Sequence, residues 1–392
     1  MNTNLNFTPR PKAVGIGNWR LHPQSQWAFQ HVRELMPTAA IERTAGSTQA
    51  LSTNLRNLEN ISVETPAGDR SLERLLSESH TDSLLVLHQG TIVTEWHAPN
   101  SNPSNPHILF SVSKSITAIL AGILEEKGIV DSENLVVDYL PLVKGCVYGN
   151  CTLRHLLDMS VALDFEENYT DEHSEYVHYR IATGWNPIDQ TTPGPGLESF
   201  LYSLKQNQED HGNTFLYRSP NTDLLGLLLE RAAAVPLPKL LSHYLWKPMG
   251  AETEAYITLD RFGTSRAAGG ICVTVRDLAR IGQLFLENGQ VNGRQVIPST
   301  WIEDTCNNGD QAAWDRGNYK HKLPNGKYRN QWYQVGDRDS SISARGIHGQ
   351  LLYINPSRSV VIAKLACQPE PLNDAITASF MSAFDQIAKQ LG

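Results

Sequence analysis

Cysteine is scarce in this chain: five residues in 392, at Cys146, Cys151, Cys272, Cys306 and Cys367. An odd, scattered set is no disulfide framework, and the close pair Cys146 and Cys151 has no second pair to complete a zinc site. Reduced thiols in a cytoplasmic protein are expected, with a Cys146–Cys151 disulfide as the alternative left open by the spacing. No run approaches the roughly 18 apolar residues of a membrane span. The start, Met1 to Lys12, lacks the apolar stretch of a signal peptide. Cations are outnumbered, 33 Lys and Arg against 41 Asp and Glu, for a net charge of −8. A nucleic-acid partner, which needs clustered cations against phosphate, is therefore not expected. Also missing are a Gly-x-Ser-x-Gly elbow, a His-Glu-x-x-His helix, a Walker A loop and a dinucleotide-binding glycine fingerprint.

What is present is ordinary globular composition, 40% hydrophobic and 19% charged. The length exceeds what one core usually serves, so two lobes are expected. Residues 1–60 are polar and irregular, with a helical stretch near Gln26–Leu35. Ser83–Trp96 holds two apolar runs around Gln89-Gly90, a hairpin signal. Ser113–Lys127 has Ile116, Ile119, Leu120, Ile123 and Leu124 at helical spacing and Gly128 as a stop. A short helix is expected over Thr152–Met159 with Thr152 as cap, and longer ones over Asn221–Ala234 and Thr274–Glu287. Residues 160–215 read as long loops over a site. His348–Tyr353 and Ser359–Ala366 form a second hairpin signal around Asn355-Pro356, and Asn373–Leu391 is an amphipathic helix. Strands early and late with helices between predict an α/β (α+β) fold. Residues 1–110 and 255–392 would build a lobe with a central antiparallel sheet flanked by helices. Residues 111–254 would form an inserted, mainly helical lobe.

The chemistry centres on Ser111-Val112-Ser113-Lys114, which follows an apolar run and opens the best helix. Residues three apart on a helix share a face, with Cβ atoms about 5–6 Å apart, so a hydroxyl and an amine become neighbours. A serine needs a base to attack. A lysine serves if burial and the positive end of a helix lower its pKa, and free N–H groups at the helix start can stabilise an oxyanion. Chance supplies about one Ser-x-x-Lys in a chain of this length; placement separates this one from chance. Tyr217-Arg218-Ser219, just before a helix, offers a phenol for proton relay or simply a core aromatic. Arg345-Gly-Ile-His-Gly-Gln350 offers a glycine-lined strand that a substrate can approach closely, or a plain strand entry. An acidic stretch, Asp164, Glu166, Glu167, Asp171, Glu172 and Glu175 with His173 and His178 nearby, could favour a substrate amine or be a solvated loop. Its spacing fits no metal-ligand pattern.

Taken in order, these motifs resemble the β-lactamase and penicillin-binding set in the branch with a tyrosine second element, which includes class C β-lactamases, D-alanyl-D-alanine carboxypeptidases and related esterases. Phe110-Ser-Val-Ser-Lys-Ser115, Leu153-Arg-His-Leu-Leu-Asp-Met159 and Gly269–Gly282 carry the likeness. Leu163-Asp-Phe-Glu-Glu-Asn-Tyr169, Tyr217–Gly226 and Gly346-Ile-His-Gly-Gln350 make the chain look similar to the 6-aminohexanoate-dimer hydrolases from about residue 80 onward. The resemblance implies Ser111 as nucleophile, Lys114 and Tyr217 as proton carriers, and the N–H groups of Ser111 and Ile347 as oxyanion hole. It implies Tyr169 closing over the substrate, with Gly346, His348, Tyr179 and Ala268 at substrate-contacting positions. It implies an acyl-enzyme, water as final acceptor, and neither metal nor cofactor. The expected partner is a small ester or amide; no membrane is expected, and a homodimer is one assembly the sequence allows. Two departures stand out. Arg345-Gly346-Ile347-His348 replaces the Lys-Thr-Gly element, which weighs against β-lactam turnover. Tyr179 and Ala268 bring no carboxylate or amide, which weighs against the nylon dimer and toward simple esters. The competing readings are a β-lactamase or carboxypeptidase, which rapid cephalosporin turnover would reveal, and a non-catalytic scaffold, which would leave Ser111 unlabelled by an active-site phosphonate.

Overall fold

The computed structural model describes residues 10–392 apart from 47, 49, 59, 60, 66, 67, 172, 190, 192 and 193. An eight-stranded sheet organises the molecule. From one edge it runs through Lys327–Arg329, Trp332–Gln334, Ile342–Gly346, Gln350–Asn355, Val360–Ala366, Thr81–His88, Thr91–His97 and Ser52–Thr53. Every pairing is antiparallel except the last, where Ser52 lies opposite Thr91 in parallel. Segments more than 270 residues apart in sequence thus meet at the sheet centre, where Val360–Ala366 pairs with Thr81–His88.

Burial explains why these segments are strands. Side chains alternate between the two faces of a strand, and both faces here are covered. Leu85, Leu87, Leu352, Ile354, Val361 and Ala363 enter one apolar cluster with the helices Val112–Glu126 and Val275–Leu286. Leu84, Val86, Leu351, Tyr353, Val360 and Ile362 enter another with Phe380, Phe384 and Ile387 of the helix Asp374–Leu391. The expected Gln89-Gly90 turn carries φ of 49° and 74°, the left-handed pair that a two-residue hairpin of twisted strands requires.

A second, four-stranded antiparallel sheet joins Thr38–Ile41, Ala255–Thr258, Ile271–Val273 and His107–Ile108. Between Val112 and Ala251 the described residues form helices and isolated bridges only. Yet one apolar cluster runs without a break from the large sheet through Val112–Glu126 into Ser219–Ala233. The parts before and after Ser111 therefore share a core. Among the described residues no helix is long and apolar enough to cross a membrane.

Several local expectations are revised. Residues 160–215 include the helices Glu175–Ala182 and Leu197–Ser203. The first buries Tyr176, Tyr179 and Ala182, a face made mostly of tyrosine that an apolar pattern does not reveal. Gln26–Leu35 yields only a short helix, Ser25–Ala28, and a tight turn at Val32–Glu34. The strand expected from His348 begins at Gln350, because Ile347–Gly349 makes a turn with His348 at φ 60°. Thr152 caps Leu153–Leu157 as expected, in a reciprocal capping box with His155. The five cysteines are free thiols; Cys146 and Cys151 donate instead to the carbonyls of Val143 and Tyr148.

Candidate active site

Ser111 sits at a forced turn. Strand His107–Ile108 pairs with Ile271–Val273, and two residues later Phe110 adopts φ 45° before the helix opens. A left-handed non-glycine residue costs about 1–2 kcal/mol. The Phe110 ring is held by Phe29 at 5.0 Å, His348 at 5.2 Å, Trp185 at 5.8 Å and Trp19 at 6.1 Å between centroids. Each such pair contributes roughly 0.5–1.5 kcal/mol, enough together to hold the turn. The N-terminal residues, polar in pattern, thus supply the aromatic backing of Ser111.

Ser111 is the N-cap of Val112–Glu126. The N–H groups of Val112, Ser113 and Lys114 donate to Leu109, Phe110 and Ser111 carbonyls. The Ser111 N–H precedes them and faces the Ile342–Gly346 strand end. A Cβ on Gly346 would stand 3.2 Å from Ser111 N and 2.5 Å from the Leu109 carbonyl, so only glycine permits this approach. Ile347 follows immediately and lines the same cavity as Ser111.

Lys114 is buried, 1% exposed. Its Nζ lies 2.9 Å from Ser111 Oγ, 3.0 Å from Ser219 Oγ and 2.9 Å from the Ala268 carbonyl. Burial lowers its pKa to about 7, with Arg266 pushing the same way and Glu167 and Asp223 opposing. Near neutrality a large share of the amine therefore carries a lone pair, at hydrogen-bond distance from the serine hydroxyl. Tyr217 presents its ring 5.0 Å from the same Nζ and lines the cavity above Ser111. Burial, with help from Tyr333 and Glu167, pushes its phenol well above the usual range, so it stays protonated.

The acidic stretch divides. Asp164, Glu166, Asp171 and Glu175, with His173 and His178, are exposed, and the four carboxylates border a separate surface depression. Glu172 lies outside the described residues. Among the described carboxylates of this stretch, Glu167 alone turns inward. It accepts from the Ser219 N–H at 2.6 Å, Ser219 Oγ at 2.7 Å and the Tyr169 hydroxyl at 2.5 Å. Tyr169 in turn lines the cavity with Ser111. The sequence places Glu167 in the acidic stretch and Ser219 in the Tyr217-Arg218-Ser219 motif without giving either a separate role. The signal available was Ser219 two residues after Tyr217, at the first turn of a helix.

The remaining candidates occupy different roles. Ala268 contributes backbone: its carbonyl accepts from Lys114 while its N–H donates to Asp223 Oδ1 at 2.8 Å. Tyr179 is fully buried, its hydroxyl shared between Asp223 and Arg266. Asp223 and Arg266 form a buried ion pair, so Tyr179 belongs to the scaffold behind Ala268. His348 bonds the Gln368 carbonyl through Nδ1 at 2.7 Å and is 3% exposed. Burial lowers its pKa to about 4, so it is neutral at pH 7. Gly346 and Ile347 line the main cavity, about 470 Å³, with Ser111, Tyr169, Tyr217 and Arg345. No group of three or more His, Cys, Asp or Glu among the described residues could hold a metal.

The chain is similar to known proteins over most of its length. The β-lactamase family model matches residues 69–380. The 6-aminohexanoate-dimer hydrolase of Paenarthrobacter ureafaciens is 34% identical over 358 residues, covering 91% of this chain and 88% of that protein. Among solved structures, one from Bacillus anthracis assigned as a 6-aminohexanoate-dimer hydrolase superposes with a TM-score of 0.90 at 27% identity, over 98% of this chain and 99% of that one. EstCE1, a hydrolase with promiscuous acyltransferase activity, shares the fold with a TM-score of 0.62 at 14% identity, over 80% and 96% of the two chains.

Proposed function

The chain belongs to the β-lactamase family, and from that premise we propose that it is a serine hydrolase that cleaves small esters or linear amides through an acyl-enzyme on Ser111. The observation that carries this reading is the buried Lys114 amine, 2.9 Å from Ser111 Oγ with a pKa near 7. Base and nucleophile are already in contact, and the base is available in its working form at neutral pH.

The proposed cycle follows from the charges. Neutral Lys114 takes the Ser111 proton as Oγ attacks the acyl carbon. The negative oxygen that forms is met by the N–H groups of Ser111 and Ile347, donors fixed by a helix start and a strand end. Tyr217, kept as a phenol, gives a proton to the departing oxygen or nitrogen. It is made good from Lys114, now an ammonium close to the Tyr217 ring. Water then attacks the ester on Ser111 by the same steps in reverse. Glu167 holds Ser219, and Ser219 holds Lys114, so the carboxylate steadies the ammonium without touching substrate. The reading takes in linear amides as well as esters, and a cytoplasmic location, for which the scarce, scattered, unpaired cysteines are the support.

The test is a panel of p-nitrophenyl esters of rising chain length together with the 6-aminohexanoate dimer. We expect turnover of the shorter esters, covalent labelling of Ser111 by a phosphonate, and loss of both in Ser111→Ala. Turnover that persists in Ser111→Ala would sink the reading.

A further inference from the structure

A second cavity, about 120 Å³, lies beside the first and shares Tyr169, Ile347 and Pro371 with it. Its wall carries two arginines from distant parts of the chain: Arg20 and Arg180, the latter on the helix Glu175–Ala182. Arg20 Nη2 donates to Asn186 Oδ1 at 2.6 Å, but Arg20 Nη1 is buried with no partner. Arg180 Nε is also buried with no partner, and its guanidinium lies 5.2 Å from the Tyr176 ring centroid. Among the described residues, no Asp or Glu forms an ion pair with either. The third guanidinium nearby, Arg266, is already paired with Asp223. Burial and then the Arg180 charge lower the Arg20 pKa to about 10, with Tyr176 opposing and Arg266 adding to the fall.

Leaving a buried donor unpaired costs about 1–3 kcal/mol, more when it is charged. Two like charges in one small wall add repulsion. One ligand removes both penalties: an anion with two acceptor oxygens, matched to the planar fork of a guanidinium. Position says which part of a substrate supplies it. Tyr217 lines the large cavity and not the small one, so the leaving group that it protonates occupies the large cavity. The acyl portion, its carbonyl held at Ile347, then points toward the small one. A water takes about 30 Å³, so this space accepts a carboxylate and a short methylene linker, between the rings of Tyr176 and Trp185.

Resting on the serine-hydrolase reading above, we propose that Arg20 and Arg180 form a carboxylate subsite, and that the preferred substrates are half-esters or half-amides of short dicarboxylic acids. The cleaved bond is the same acyl bond to Ser111, and the distal carboxylate is a spectator. The exposed carboxylates of residues 164–175 face elsewhere, so the charge that the substrate's acyl end meets is positive.

Three phenyl esters that differ at the far end of the acyl chain test this: hexanoate, 6-aminohexanoate and the monoester of adipate. The expected kcat/KM for the adipate monoester exceeds that for hexanoate by about ten-fold or more, with 6-aminohexanoate lowest. Arg180→Met and Arg20→Met should each bring the adipate-to-hexanoate ratio close to one, and Arg180→Lys should restore part of it. A wild-type ratio of one or below, or a ratio unmoved in both methionine variants, overturns the subsite. Binding of the adipate monoester to Ser111→Ala by calorimetry reads the subsite without chemistry. It should weaken about ten-fold when Arg180→Met is added, and unchanged affinity overturns the proposal. Failure of the hydrolase reading shows separately, as hydrolysis of none of the three esters or hydrolysis that survives in Ser111→Ala.

Discussion

Lys114 and Lys364 are two buried amines brought by desolvation to the same pKa, about 7. Their surroundings differ in kind. Lys114 has a serine hydroxyl on each side, one of them the candidate nucleophile, and a cavity that reaches Ser111. Lys364 sits in the central strand Val360–Ala366, donates to the Gly349 carbonyl at 2.9 Å, and lies 4.1 Å from the Phe380 ring centroid. The charged or titratable groups that act on it are Asp82 and Cys367. Burial alone therefore makes a weakly basic amine, and only the neighbours make it a candidate catalyst. Lys364 is bonded within the sheet, Lys114 to two serines.

The largest separation of the two comes from removing each amine while keeping its volume. Lys114→Met should lower kcat/KM for a p-nitrophenyl ester by about 10³-fold, within the range for loss of a positioned general base. The fold should survive, because a methionine fills the space without an unpaired charge. Circular dichroism and ester kinetics on one preparation check both halves. A Lys114→Met enzyme with near-normal kcat/KM would mean that another group takes the Ser111 proton.

The acid limb of activity sharpens the comparison next. Only unprotonated Lys114 can accept the serine proton, so kcat/KM should rise with pH through a midpoint near 7. Glu167 is the strongest influence raising that pKa. Replacing Glu167 by Gln removes a negative charge that favours the ammonium, so the Lys114 pKa falls and the limb moves to lower pH. The plateau should drop several-fold as well, since Ser219 and Tyr169 lose the carboxylate they share. A limb that stays in place would separate Glu167 from Lys114. A shift upward would contradict the sign of the coupling.

These contrasts also explain what the sequence disclosed. The hairpin at Gln89-Gly90, the helix after Ser111 and the C-terminal helix were legible because apolar spacing and turn residues are local signals. Ser111 and Lys114 were legible because three residues on one helix fix their distance without tertiary help. Glu167 was hidden among carboxylates identical to it in type, and only packing turns one of them inward. Arg20 and Arg180 were invisible because the wall they share joins residues 160 positions apart. Tyr179 and His348 are substrate-contacting positions by resemblance alone; in the fold Tyr179 bonds the Asp223–Arg266 pair, and His348 bonds the Gln368 carbonyl while lining the small cavity. Lys364 has no motif around it, and its burial follows from strand alternation across a sheet covered on both faces.

The smallest expected effect on turnover comes from Lys364→Met. Methionine keeps the contact with the Phe380 ring, where sulfur packs favourably, and gives up the bond to the Gly349 carbonyl. That carbonyl belongs to the turn after Ile347, so kcat/KM should fall no more than a few-fold, and the acid limb near pH 7 should remain, because it belongs to Lys114. The larger consequence is in stability. The unfolded chain holds the Lys364 proton up to its ordinary pKa of 10.5, and the folded chain releases it near 7. Between these values the unfolded state binds more protons, so the contribution of this residue to stability rises with pH. It is least favourable below pH 7, where the ammonium must stay buried. Lys364→Met removes that slope. Relative to wild type, the variant should therefore gain most at pH 6–7 and lose that advantage as pH approaches 10, in urea unfolding followed by fluorescence. An acid limb that disappears in Lys364→Met would assign the kinetic pKa to the wrong lysine, and a stability difference independent of pH would show that Lys364 keeps its proton in the fold.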